Sequence, residues 1–173
     1  EALPLTFAAT QQNDAAEFLA LLSDNLEEAL RGSRHASLLR SCFGGTLVQQ
    51  AVWEEPPPTP GGAPVRKVSE REQSFLQIEL DLKGHRSIEE SFRALVDGER
   101  LEGDNAYELD SGGKVAAVKR LCLGELPPTL VIQLKRFEFD YDTMLKQKLF
   151  DACDVPHLLD VAPYLPTGGG AAA

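Results

Sequence analysis

At 173 residues the chain is long enough for one domain and short for two. With 43% hydrophobic residues it can bury a core of its own, which excludes disorder throughout and a disulfide-stapled mini-protein. Its 17 basic against 27 acidic residues leave a formal charge of −10, so the electrostatic footprint of a nucleic-acid binder is missing and a neutral or basic partner is expected. No apolar run reaches the roughly 18 residues that a membrane span needs. Three widely spaced cysteines, Cys42, Cys122 and Cys153, suggest neither a disulfide framework nor a C-x-x-C metal pair, and point to a reducing compartment, cytosol or nucleus. A first residue that is not methionine, no signal-peptide pattern and a Gly168-Gly169-Gly170-Ala171-Ala172-Ala173 end read as a piece of a longer protein, with residues 166–173 of low complexity.

Ala15, Phe18, Leu19, Leu22, Leu26, Ala29 and Leu30 recur at the spacing of one helix face, which predicts a long helix over 15–30. Asp14 with Glu17 forms a capping box at its start, and Gly32 follows its last turn as a stop. Gly44 to Val52 reads as a strand. Glu54 to Ser69 holds five of the eleven prolines and reads as an extended loop. Leu76, Ile78, Leu80 and Leu82 alternate with polar residues, the period of a half-buried strand. Ser87 with Glu90 is a second capping box and predicts a short helix carrying Ile88, Phe92 and Leu95. Val115 to Leu123 and Leu130 to Phe139 read as two strands separated at Leu126-Pro127-Pro128. Strands that mostly follow one another through short turns favour an antiparallel α+β layout.

A nucleophilic cysteine needs a helix N-terminus or a nearby histidine to stabilise its thiolate. Cys122, inside a strand, reads as a small core hydrophobe. Cys153 lies between Asp151 and Asp154, whose charges raise a thiol pKa, and Pro156 separates it from His157. Cys42 has no predicted orienting group near His35. The histidines His35, His85 and His157 are isolated, so no metal site is expected. Gly44-Gly45, Gly61-Gly62 and Gly112-Gly113 lack the context of a phosphate-binding loop and read as turns.

Several segments, in order, resemble the ubiquitin-specific protease family, papain-like cysteine peptidases that remove ubiquitin, and within it the large fat-facets type. Gln12-Asn13-Asp14-Ala15-Ala16-Glu17-Phe18 resembles the family's Q-x-D-A-x-E-F helix start, and Phe43-Gly44-Gly45 resembles the F-x-G that opens the fingers. Glu102-Gly103-Asp104-Asn105-Ala106-Tyr107, Val118-Lys119-Arg120, Leu126-Pro127-Pro128 and Ile132-Gln133-Leu134-Lys135-Arg136-Phe137-Glu138-Phe139-Asp140 follow, then Asp160 with Pro163-Tyr164. The resemblance implies that residues 1–173 are a partial catalytic domain with the fingers and palm, an antiparallel sheet and a long N-terminal helix.

The family's G-N-T-C-type cysteine run and G-H-Y-type histidine segment have no counterpart here, so the resemblance implies no catalytic residue in this chain. It implies instead a ubiquitin-holding part of a deubiquitinase that hydrolyses the isopeptide bond at ubiquitin's C-terminus. Ubiquitin and ubiquitinated proteins are the expected partners. The alternative is a catalytically inactive member that binds ubiquitin or serves as a scaffold. Asp14 and Glu17 correspond to residues facing the channel for ubiquitin's arginine-bearing tail, where an acidic wall suits a basic ligand; the same pair also suits a plain helix cap. Phe137 corresponds to a residue supporting bound ubiquitin, or is a core aromatic on a strand, and Lys135-Arg136 suit a solvated strand face. Many family members bind a structural zinc through two C-x-x-C pairs; at those places stand about Trp53, Pro56, Leu109 and Gly112, so neither zinc nor any other cofactor is expected.

Overall fold

The helix predicted from three-and-four spacing is present as α1 (Ala15–Leu30) in a computed structural model that describes residues 15–57, 59, 61–110, 112–141 and 144–166. None of its residues is fully buried, and Phe18, Leu21 and Leu26 stay exposed. Asp14, and with it the expected capping box, lies outside the described residues. A short α2 (Leu38–Phe43), which no periodicity announced, ends where the Gly44 N–H donates to the Arg40 carbonyl at 2.9 Å.

From there β1 (Gly45–Glu55) and β2 (Val65–Phe75) run antiparallel, with Gly45 opposite Phe75 and Glu55 opposite Val65. A Cβ on Gly45 would sit 2.5 Å from Phe75 Cζ and 2.6 Å from the Glu125 carbonyl, so the glycine of the F-x-G segment is a requirement of close packing. The extended loop expected over 54–69 is shorter than that, since both strands grow into it and leave only residues 56–64 between them. β2 escaped notice because it is an edge strand exposed along most of its length; Arg66, Lys67, Glu70, Arg71 and Glu72 break any hydrophobic alternation and guard the edge against further pairing.

β3 (Ile78–Asp81) buries Ile78 and Leu80 almost completely. It leads into α3 (Ile88–Asp97), whose cap forms as predicted: Ser87 Oγ accepts from the Glu90 N–H at 3.2 Å. Glu90 Oε2 returns the favour one residue earlier than a simple box, accepting from the Arg86 N–H at 2.7 Å. At its far end Gly98 has φ +72, and a Cβ there would lie 2.7 Å from Arg120 Cβ, so the helix can end against the sheet only on glycine. Next come β4 (Glu99–Leu101), a 3-10 turn over Gly103–Asn105, and a hairpin of β5 (Tyr107–Glu108) and β6 (Lys114–Val115). β7 (Ala117–Leu123) completes a four-stranded sheet in the order β2-β1-β7-β4.

The strand predicted over Leu130–Phe139 is two. β8 (Ile132–Lys135) pairs parallel to β3, whereas β9 (Phe137–Asp140) pairs antiparallel with β10 (Leu145–Lys148). Arg136 is the break: its N-terminal neighbour belongs to one ladder, its carbonyl accepts from the Leu149 N–H at 2.7 Å, and its guanidinium donates to the Asp151 carbonyl at 3.0 Å. The β3–β8 pair departs from a wholly antiparallel layout, while the four-stranded sheet keeps it. The core gathers Leu47, Ile78, Leu80, Ile88, Phe92, Leu123 and Tyr164. Tyr164 stacks on Phe92 with ring centroids 5.0 Å apart. Its hydroxyl donates to the Glu89 carbonyl at 3.3 Å, tying the end of the described chain to α3. Among the described residues no helix is long and apolar enough to cross a membrane.

Candidate substrate cleft

Because alternate residues of β3 and β8 face the core, their neighbours Gln77, Glu79 and Gln133 face the other way, toward the first turns of α1. Three small residues on that helix, Ala15, Ala16 and Ala20, leave room between helix and strands. The result is a cleft of about 560 Å³ whose walls include Glu17 on α1 and Phe137 at the start of β9. Two of the three residues singled out in the sequence therefore meet in one cleft, and the third, Asp14, lies outside the described residues.

Glu17 is exposed and makes no ion pair among the described residues. Across the cleft Lys135 Nζ lies 3.4 Å from Asp81 Oδ1 and 3.8 Å from Glu79 Oε2, and Arg136 and Lys148 also line it, so Glu17 faces a wall of mixed charge. Phe137 is 40% exposed and is not among the buried core residues of this chain. Lys148, its partner across the β9–β10 ladder, places Nζ 5.8 Å from the Phe137 ring centroid and 5.7 Å from that of Phe150, a cation held between two aromatic faces. On the cleft floor Gln77 Nε2 donates to Gln133 Oε1 at 3.3 Å, and Gln77 Oε1 is buried without a partner. Gln77, Glu79, Gln133 and Lys148 were missed in the sequence. The polar beats of the β3 alternation were the signal for Gln77 and Glu79, while Gln133 on β8 and Lys148 on β10 had none.

The cysteines sit apart from this cleft. Cys122 is buried with its thiol 3.8 Å from Gln50 Oε1, and burial pushes that thiol up. Burial also raises Cys153, Arg136 opposing it and Asp154, Glu89 and Glu90 adding to it. Cys42 is half-buried on α2. Asp104 and Asn105 belong to the 3-10 turn, as turn formers.

Of the places where the resemblance puts zinc-binding thiolates, Trp53 lies near the end of β1, and Leu109 and Gly112 close the β5–β6 turn through a backbone hydrogen bond of 2.9 Å. Indole, proline, isobutyl and glycine offer no ligand, and among the described residues no three of His, Cys, Asp and Glu converge as a metal would need. The residues do not fit a structural zinc.

The sequence profile described as ubiquitin carboxyl-terminal hydrolase matches residues 1–172. The chain is 37% identical over 159 residues to the probable ubiquitin carboxyl-terminal hydrolase FAF of Drosophila melanogaster, covering 91% of this chain and 5% of that protein. It is 37% identical over 159 residues to ubiquitin carboxyl-terminal hydrolase 9X of Mus musculus, covering 91% of this chain and 6% of that one. It thus spans a small fraction of the length of the curated relatives it matches. Among solved structures, the Ubp8-containing SAGA DUB module bound to monoubiquitin aligns over 90% of this chain and 34% of that one, with TM-score 0.70 and 25% identity. A second structure of the Ubp8-containing module aligns over 93% of this chain and 37% of that one, at TM-score 0.69 and 24% identity. With a profile matched almost end to end, relatives of the fat-facets type and the ubiquitin-specific protease fold around this cleft, the chain belongs to the ubiquitin carboxyl-terminal hydrolase family.

Proposed function

We propose that this chain is the ubiquitin-holding part of a thiol-dependent deubiquitinase, and that it does not cleave ubiquitin conjugates by itself. The observation that carries the reading is the convergence of Glu17 and Phe137, far apart in sequence, on one cleft. A monoubiquitin-bound structure with the same fold supports it. The reaction of such an enzyme begins with a histidine-activated thiolate adding to the carbonyl of ubiquitin's terminal glycine. The lysine amine leaves with a proton, and water hydrolyses the thioester. In this chain the part played is binding and orientation. The extended tail lies between α1 and the β3–β8 strands, Asp14 and Glu17 meet its arginine side chains, and Phe137 bounds the apolar side. Buried or acid-flanked thiols such as Cys122 and Cys153 are poor nucleophiles, consistent with holding rather than cutting. Such chemistry needs reduced thiols, so cytosol or nucleus is the proposed compartment.

The test uses the longer parent protein and calorimetric binding to ubiquitin. Glu17→Gln keeps the side chain's shape and removes its charge, so affinity falls by about 1.5–3 kcal/mol, roughly ten- to a hundredfold, while thermal stability stays put. Asp14→Asn does the same, because asparagine caps a helix as well as aspartate. Unchanged affinity in both variants removes the acidic pair from the binding site.

A further inference from the structure

We propose that the fingertip of this chain is closed by an aromatic contact, Trp53 against Tyr107, at the place where zinc-bearing members of the family carry their metal. The β5–β6 hairpin is thereby held to the sheet with no metal at all. The proposal rests on family membership and stands apart from the substrate reading above.

Trp53 shares a face of β1 with Gln49 and Ala51, and those two residues line a cleft of about 260 Å³ together with Tyr107, Glu108 and Asp110 of the hairpin region. The hairpin thus lies over the face on which the indole stands. The Trp53 and Tyr107 rings are 5.6 Å apart at an interplanar angle of 31°, within the range of favourable aromatic pairs. The indole is also held along its own strand, Nε1 donating to Glu55 Oε1 at 3.3 Å. The hairpin turn spends its polar groups internally: the Leu109 N–H donates to the Gly113 carbonyl at 3.0 Å and the Gly112 N–H to that of Leu109 at 2.9 Å.

Charge acts in the same direction. Arg71 and Lys119 line the sheet side of the cleft and Glu108 and Asp110 the hairpin side, with no ion pair between them among the described residues. Opposite signs across a narrow gap draw the hairpin inward without fixing it, and the aromatic pair supplies the fixed point. Metal ligation would make the fingertip sensitive to chelators and acid; this contact makes it indifferent to chelators.

Trp53 is the sole tryptophan, so its emission reports on the contact in the full chain. In Tyr107→Ala the emission moves to the red. Amides 107–109 and 113–115 then exchange about two- to tenfold faster, the factor that an aromatic pair's specific energy implies, while those of the β1–β7 ladder keep their rates. Tyr107→Phe restores both readouts, and zinc or a chelator added to the unaltered chain changes neither. Stoichiometric zinc uptake that slows hairpin exchange overturns the proposal, as does Tyr107→Ala with hairpin exchange unaltered. Should Tyr107→Ala unfold the sheet as a whole, the unaltered chain decides: a chelator-induced red shift refutes the metal-free fingertip, and indifference to the chelator upholds it.

Discussion

Phe92 is 1% exposed and lies between the strands of the core and the Tyr164 ring. Truncating it removes both the buried area and the stack, so Phe92→Ala is expected to cost about 3–5 kcal/mol in denaturant unfolding. Tyr164 carries a different signature. Burial raises its phenol above the ordinary value of 10.0, Glu89 and Asp160 adding to the shift and Arg93 opposing it. The folded chain therefore favours the neutral ring: its contribution is complete below about pH 10 and is lost as pH rises through the folded-state value. Tyr164→Phe should flatten the alkaline fall in stability above about pH 10 measured by thermal melts, relative to the unaltered chain, while lowering neutral-pH stability by about 1 kcal/mol for the lost hydroxyl bond. An alkaline limb of unchanged slope would show that Tyr164 does not titrate with unfolding.

Gln50 joins three strands at one point. It is fully buried on β1, accepts from Arg120 Nε of β7 at 2.7 Å and donates through Nε2 to Glu70 Oε1 of β2 at 2.5 Å. Gln50→Leu conserves volume and breaks both bonds, so it is expected to cost about 1–3 kcal/mol in denaturant unfolding and to quicken exchange along β1–β2. Such a bond set could not be read from the sequence, because it exists only once the register Gln50 to Arg120 and Gln50 to Glu70 is known. Elements whose causes are local were legible: α1 by its apolar spacing, α3 by Ser87 and Glu90, β3 by alternation. Those whose causes are tertiary were not. β2 and β10 carry few buried residues, and the split at Arg136 depends on carbonyls of residues 149 and 151 that only folding brings near.

At the scale of the molecule, the cleft was half legible. Glu17 and Phe137 were found through resemblance, whereas Gln77, Glu79, Gln133 and Lys148 join them only when β3, β8 and β10 take their places. The same reading predicts that the chain as it stands gives no release from a ubiquitin–fluorophore substrate above buffer. Turnover abolished by changing Cys42, Cys122 or Cys153 to serine would refute that.

The parallel pair β3–β8 has a consequence in time. Ile78 pairs with Ile132, about 50 residues later, and Leu47 with Leu123, so the two ladders that enclose the core close across long intervening chain. The β1–β2 hairpin needs no such wait. During synthesis at about 5–20 residues per second, β3 with its buried Ile78 and Leu80, and Leu82 just beyond it, stands without its partner strand for roughly 3–10 s. Loops of this length place core closure late and slow, among the non-local pairings that govern folding rate. For those seconds the inward face of β3, buried almost completely in the finished fold, depends on α3, which follows it at once, to shield it from other chains.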